Sequence, residues 1–533
     1  MSDRVLILDA LSAGSGQRRS SRDSIGCGPR TIAGVFEKHN IPCQIHRVEE
    51  ILNKSTLLRK FGHVAISAMT MDLPAVEKFV KIWRGSRSEG RIIIGGPISA
   101  DPLSLKELNP DVIVMGEGEA TLEELITEKF FEKYVELSNV HGVSYPAGGQ
   151  MVSTKPRNLI PAKVLSENYR ASTTRIIDYK AYQASKVYVE VTRGCSNFRR
   201  TKLPLVDGRK CTECSNCDAD ISSVRMDCPE EIPPGCGFCS VPGTWGPPRS
   251  RTTDVIVEEV RELLDLGVHR IVLESPGFLD FMRGKEPLTN PCHPPANLEA
   301  IKDLLDKLNA LSQVANKTAH IAIENMKACL FSEKVAQTLV DSMIASSPNI
   351  GLETGSEKHL RDIGKCGSPN DVISAVQIAS KYGMSPFVYF IYGLPGETEE
   401  TVKESIEIMK AVSDAGAERI ILYGFRPLPG TAFEKHPESS TKSDLGMLLR
   451  NEADRINREK KDNYLDKTIR GIAAEPSWVR HGYTMVNPME EGPLMTVPGG
   501  YSPGTLLKVL VTKVLSGGLV AGEVVQDDDE IEP

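Results

Sequence analysis

Seven of the twelve cysteines of this 533-residue chain fall between Cys195 and Cys239. A thiolate is a strong, soft metal ligand, and such crowding in a reducing compartment favours metal ligation over disulfides. The seven divide by spacing. Cys195 ends the run Thr192-Arg193-Gly194-Cys195, and Cys236 and Cys239 lie in Gly235-Cys236-Gly237-Phe238-Cys239-Ser240-Val241-Pro242. Between them sit Cys211-x-x-Cys214-x-x-Cys217 and, eleven positions on, Cys228. Four thiolates in a short loop can make a tetrahedral site for one metal ion. The tight triplet also suits part of a 4Fe–4S loop. One ion is the reading adopted for Cys211, Cys214, Cys217 and Cys228, with iron placed before zinc. Thiolate cross-links would order a segment with almost no apolar residues of its own. A second partition gives Cys228 to the outer set in place of Cys236, against the Gly-x-Phe-Cys context. The other five, Cys27, Cys43, Cys292, Cys329 and Cys366, are scattered and read as small packing residues.

Two alternating β/α patterns must position these ligands. Residues 1–145 place short β-branched runs at 5–8, 44–48, 64–67, 92–94 and 112–115, with helical patterns between them. That alternation predicts a parallel, doubly wound sheet, whose ligand binds beyond the carboxyl ends of the strands. The loops there are rich in glycine and small polar residues. They run Ser12-Ala13-Gly14-Ser15-Gly16, Ser67-Ala68-Met69-Thr70-Met71, Gly95-Gly96-Pro97 and Gly116-Glu117-Gly118-Glu119. Glycine there lets backbone approach a large flat ligand. Residues 146–185 read as a linker. From 186 to 440 strands are expected at 187–191, 270–273, 320–323, 349–353, 386–391 and 419–423, mostly followed by helical runs. Residues 196–235 interrupt the pattern as a cysteine-rich insertion. A charged helical segment, 441–475, and a β-rich region with an acidic tail, 476–533, complete the chain.

Composition narrows the class. The net charge of −8 gives no global basic field for a nucleic-acid partner. No apolar run reaches the roughly 18 residues of a membrane span. The first residues, MSDRVLILD, read as a β-strand and not a secretory signal. The expected compartment is the cytoplasm.

With 196–235 removed, Arg-Gly-Cys and Cys-Gly-Phe-Cys join into a motif that resembles the radical S-adenosylmethionine (SAM) superfamily. The resemblance implies an α/β fold with a partial (β/α)6 barrel. It also implies a 4Fe–4S cluster on Cys195, Cys236 and Cys239, whose free iron binds SAM. The implied SAM contacts are Phe238 against adenine, Glu274 and Ser275 after the second strand, Glu353 and Ser356 after the fourth, and Gly393 after the fifth. Residues 1–145 resemble the cobalamin-binding domain that precedes the barrel in one class of these enzymes. Ser12, Gly14, Ser67, Met69, Thr70, Met71, Gly95, Gly96, Pro97, Gly116, Glu117 and Gly118 are then the cobalamin contacts. The Asp-x-His-x-x-Gly signature of histidine ligation to cobalt is absent.

Such a pairing implies a C-methyltransferase using two SAM per turnover, one as methyl donor and one as source of the 5′-deoxyadenosyl radical. The split cluster loop makes the chain similar to the methanogen enzymes that C-methylate methyl-coenzyme M reductase, above all the glutamine C-methyltransferase. The implied partners are the reductase alpha subunit, as an unfolded or nascent segment, and an electron donor such as ferredoxin. Strand-end position alone nominates Asn325, Tyr389, Tyr392 and Arg426 as lining residues. Three alternatives stand beside this reading, one of them a non-catalytic iron–sulfur electron carrier, which the strand-end motifs oppose. The β-rich end resembles the terminal domain of tRNA methylthiotransferases, and cobalamin-dependent radical SAM enzymes also serve small-molecule and lipid biosynthesis.

Overall fold

The computed structural model describes residues 4–19, 21–86, 89–342, 347–516 and 518–525, so the acidic tail lies outside the described residues. The chain divides into two compact units. The first comprises Met1–Tyr182, Val187–Val189 and Asp254–Leu266; the second comprises Gln183–Lys186, Glu190–Thr253 and Gly267–Pro533.

In the first unit the apolar runs form β1 (Val5–Asp9), β2 (Cys43–Arg47), β3 (His63–Ser67), β4 (Ile92–Gly95) and β5 (Val112–Val114). They pair in parallel in the order β2-β1-β3-β4-β5. Side chains that alternate along these strands, such as Leu6, Leu8, Val64, Ile66, Ile92 and Ile94, share a core with Phe79 and Trp83 of the helix Leu73–Ser86. The sheet continues into an antiparallel hairpin, β6 (Val143–Ala147) and β7 (Gln150–Ser153). The stretch expected to be a linker thus supplies an edge strand, and the unit runs on to Tyr182. Buried Arg30 fastens this region. Its guanidinium donates to Ser172 O (3.2 Å) and Tyr188 O (2.5 Å) and pairs with Glu259 at 3.0 Å.

Strand β8 (Lys186–Glu190) is divided between the units. In the second unit β9 (Arg270–Glu274) and β10 (His320–Ile323) pair in parallel, as do β11 (Asn349–Glu353), β12 (Phe387–Tyr392) and β13 (Arg419–Gly424). A parallel bridge between Met326 and Ile350 joins the two sets. Amphipathic helices follow most of these strands, and the capping boxes at Ser368 and Thr398 fix the starts of two of them. The six expected strand positions are therefore all strands, and the carboxyl ends of β9 to β13 lie on one side, as in α/β barrels.

The last five strands, β14 (Thr468–Pro476), β15 (Tyr483–Pro488), β16 (Leu494–Pro498), β17 (Leu506–Ser516) and β18 (Leu519–Val525), close into a barrel around Val486, Met495, Val497, Val509, Val511 and Val520. Among the described residues no helix is long and apolar enough to cross a membrane.

Candidate metal and cofactor sites

Forty residues of insertion do not separate the outer cysteines in space. The Gly235 N–H donates to Arg199 O at 2.7 Å, closing the insertion at its base, and the Gly237 N–H donates to Ile363 O at 2.8 Å. Asn197 ties the two ends together. Its backbone N–H meets Cys195 Sγ at 3.5 Å, and its amide donates to Cys236 Sγ at 3.3 Å and to Gly364 O at 3.0 Å. Burial pushes all three thiols upward. Cys239 rises to about 11, and repulsion among the three sulfurs adds to the effect at Cys236 and Cys239. Half-buried sulfurs that resist ionisation together are the donor set a cationic cluster suits, because its charge reverses the penalty.

Two half-buried lysines flank this set. Lys327 Nζ lies 2.5 Å from both Ser196 Oγ and Asp280, and Asp280 also pairs with Arg283 at 2.7 Å. Ser196, directly after Cys195, is thereby held in place. Lys365 pairs with Glu353 at 2.6 Å. Burial pulls the Lys365 ammonium down, but Glu353 and Cys236 draw it up further, and the net shift is upward. Glu353 has φ +75, a strained backbone for a residue with a side chain and one that clusters at functional sites. A Cβ on Gly351 would come within 2.5 Å of Glu353 Oε1 and 2.9 Å of Lys365 Nζ, so the pair occupies the space that glycine leaves. Neither lysine stands in a recognisable pattern, and sequence reasoning missed both.

The expected SAM contacts are held at the strand ends. Asn325, with φ +47, donates its amide to Ser275 O at 3.1 Å, and Ser275 Oγ accepts the Gly277 N–H. Glu274 O accepts the Val191 N–H at 2.9 Å. Ser356 caps the helix Glu357–Asp362. The Gly393 N–H is taken by Glu397 at 2.9 Å. Phe238 packs against a cluster containing Ile363, Leu394, Phe425 and Phe433. The other nominated residues are engaged in different ways. Tyr392 is buried, and its hydroxyl accepts from Arg450 of the helix Asp444–Asp462 at 3.0 Å. Tyr389 stacks on Tyr423 with centroids 6.0 Å apart. Arg426 pairs with Glu438 at 2.9 Å on the surface.

Inside the insertion, Arg200 organises the chain. Its guanidinium donates to Phe198 O, Arg225 O, Met226 O and Ile232 O, and one nitrogen lies 3.7 Å from Cys217 Sγ. Leu205 and Ile232 are buried in an apolar cluster against which Cys211 and Cys228 pack. The expectation that the segment has almost no apolar residues to order it is corrected by these contacts. Among the described residues, three ligand atoms within 4.8 Å of one another are not found at Cys211, Cys214, Cys217 and Cys228 but at Cys292, Cys329 and Cys366. The expectation that these last three are scattered packing residues is therefore also corrected.

In the first unit a buried carboxylate binds the strand-end loops together. Asp72 accepts N–H bonds from Ser12 (3.0 Å), Gly14 (2.7 Å) and Met69 (2.9 Å), and burial raises its pKa. Asp72 precedes the helix Leu73–Ser86, and an acidic residue ahead of an apolar periodic run was the signal available in sequence. Thr70 Oγ1 reaches Pro97 O at 3.5 Å, and the Ala68 N–H donates to Gly95 O. Glu117 is buried and accepts the Ile160 N–H at 2.6 Å. A Cβ on Gly14 or Gly116 would meet no atom within 4 Å, Met69 and Met71 are exposed, and the Met69 sulfur lies 3.7 Å from Ser12 Oγ. Open glycine backbone with apolar side chains at its edge fits a bulky planar ligand, and none of the four loops contains a histidine.

Fold and site together define a radical SAM enzyme that carries a B12-binding domain. The Radical SAM superfamily model matches residues 233–409 and the B12 binding domain model residues 25–126. Uncharacterized protein MJ1620 of Methanocaldococcus jannaschii is 40% identical over 474 residues, 89% of this chain and 88% of that protein. Uncharacterized protein MK0932 of Methanopyrus kandleri is 37% identical over 537 residues, 100% of this chain and 98% of that protein. The chain belongs to the family that these two proteins represent. The radical SAM methyltransferase TsrM of Kitasatospora setae, solved with cobalamin and a 4Fe–4S cluster, shares the fold with a TM-score of 0.58 at 15% identity, over 81% of this chain and 74% of that one.

Proposed function

We propose that this chain is a cobalamin-dependent C-methyltransferase that uses two SAM per turnover to methylate an unactivated sp3 carbon of a protein residue, with a glutamine of the methyl-coenzyme M reductase alpha subunit as candidate substrate. The observation that carries the reading is the convergence of Cys195, Cys236 and Cys239 at one turn of a chain that also has a B12-binding domain. When bound, the cluster supplies the electron that cleaves SAM, and cobalamin carries the methyl group.

The chain's own residues bind and position. Cys195, Cys236 and Cys239 would ligate the cluster, while Asn197 donates to two of those sulfurs and Lys327 and Lys365 offset their negative charge. Glu274, Ser275, Glu353, Ser356 and Gly393 offer the polar groups for SAM, with Phe238 and Leu394 as its apolar wall. The loops pinned by Asp72 would hold cobalamin. Fixing donor, radical and acceptor carbon in one path supplies the rate enhancement. The substrate would enter as an unfolded or nascent segment in the cytoplasm, with ferredoxin or a similar donor providing electrons.

The test is anaerobic incubation with reductant, methyl-deuterated SAM, cobalamin and a glutamine-containing reductase peptide, followed by mass spectrometry. A deuterated methyl group on glutamine carbon with matching 5′-deoxyadenosine is expected. Unmodified peptide with continued SAM cleavage would sink the substrate assignment. The closed barrel of β14–β18 favours a second reading, a tRNA methylthiotransferase. Corrinoid retained through anaerobic purification would count against that reading, and sulfur incorporated into tRNA would establish it.

A further inference from the structure

We propose that Cys292, Cys329 and Cys366 form an additional metal site for one thiophilic divalent ion, zinc or ferrous iron. Each cysteine comes from a separate loop beyond the carboxyl end of a successive strand. Cys292 follows β9, Cys329 follows β10, and Cys366 follows β11 and its helix Glu357–Asp362. Their sulfurs nevertheless all lie within 4.8 Å of one another. Thiolates bound to one tetrahedral ion at about 2.3 Å are roughly 3.8 Å apart, inside that limit. The cube of a 4Fe–4S cluster stands between its ligands and spreads them further.

Cys292 and Cys329 have Cα atoms 5.6 Å apart with their sulfurs bonded as a disulfide. A disulfide needs two cysteines and gives no reason for the third. An enzyme that drives an electron into SAM works under strong reductant, where such a bond opens to thiols. The three then form a ready ligand set.

The surroundings are built. Buried Arg283 donates to Asn290 O (2.9 Å) and Pro294 O (2.6 Å), and Asn290 Oδ1 accepts the N–H groups of Cys292 and His293, each at 3.1 Å. The Cys292 loop is thus fixed before any ion binds. Cys366 stands two residues after Gly364, whose O accepts the Asn197 amide that also donates to Cys236 Sγ. The site therefore borders the cluster ligands. Among the described residues no further histidine, cysteine or carboxylate joins the three at this spacing. Three thiolates and an open position resemble catalytic more than structural ions, so the fourth place would take water or a substrate heteroatom.

The test uses full-length protein purified anaerobically under reductant, with zinc, iron, acid-labile sulfide and free thiols counted per chain. At least one zinc or iron without matching sulfide is expected in the parent protein. Cys292→Ser and Cys366→Ser should each lose that one equivalent while keeping the iron and sulfide of the SAM cluster, and Cys214→Ser should retain it. If the variants fail to fold, zinc-edge X-ray absorption of the Cys214→Ser protein should show three sulfurs and one lighter ligand. Metal content unchanged in Cys292→Ser and Cys366→Ser would overturn the site. So would parallel loss of iron and sulfide, which marks an auxiliary cluster, or a Cys292–Cys329 disulfide surviving reduction.

Discussion

Lys365→Met removes one half of the Glu353–Lys365 pair, whose side chains are 10% and 18% exposed at 2.6 Å. At an effective dielectric of about 20, opposite charges roughly 4 Å apart gain about 4 kcal/mol. Breaking a buried pair from one side costs about 3–5 kcal/mol, because the other charge is left uncompensated. Here that charge belongs to Glu353, close to the half-buried Cys239 thiol. Lys365→Met should therefore lose about 3 kcal/mol or more of stability and bind iron poorly on reconstitution. Glu353→Gln in the same protein should restore much of the stability, since no buried charge is then orphaned. Activity should not return, because Glu353 is the candidate SAM contact. The assay is a double-mutant cycle by anaerobic chemical unfolding, with iron content and SAM binding read on each variant. A coupling energy below about 0.5 kcal/mol would refute the reasoning, since it would mean the pair is solvated despite its burial.

Other perturbations test different parts of the frame. Asp72→Ala orphans the N–H groups of Ser12, Gly14 and Met69, at about 1 kcal/mol apiece; corrinoid retention should fall together with thermal stability. Gly355→Val places a Cβ 2.5 Å from Ser405 Cα and 2.7 Å from Glu404 O, both helix backbone that cannot yield cheaply. A melting temperature lowered in line with an overpacking cost of about 1–3 kcal/mol is expected, with weaker SAM binding. For Glu190, burial pushes the carboxyl up, but Arg193 and Arg251 pull it further down, to about 2. Its folded pKa lies below the unfolded value near 4.3, so it contributes roughly 3 kcal/mol above that pH, lost as pH falls toward 2. Metal-free Glu190→Gln protein should show a flatter melting profile across that window.

The strands were legible because each βα repeat carries its own local signature. β1 to β5 and the six barrel strands lie where β-branched runs alternate with helical ones. Cys195, Cys236 and Cys239 were legible from order and context. Their reunion was not, because it depends on backbone bonds such as Gly235 to Arg199 that no motif encodes. The edge strand Gln150–Ser153 was read as linker because it is short and mostly exposed, so no alternation of burial marks it. Cys292, Cys329 and Cys366 were missed for a tertiary reason. Each is unremarkable in its own loop, and only the wrapping of three successive βα units brings them together.

The insertion shows how such a cluster loop can be split at little cost. Lengthening a loop from a few residues to forty is about three doublings, at roughly 0.6 kcal/mol each, or about 2 kcal/mol in closure entropy. Arg200 alone makes four bonds to backbone carbonyls across the insertion. Bonds to a charged donor contribute about 1.5–3 kcal/mol each, so even a fraction of that sum offsets the closure term. Arg225 adds a bond to Cys217 O at 2.6 Å, and Leu205 and Ile232 bury apolar surface. Holding the insertion folded therefore does not require metal on Cys211, Cys214, Cys217 and Cys228. If those thiolates bind an ion, removing it by Cys214→Ser should leave melting temperature and SAM cleavage near their parent values while altering turnover on the protein substrate. Collapse of the SAM cluster in Cys214→Ser would reverse the argument, because the quartet would then be what returns both ends of the insertion to the same turn.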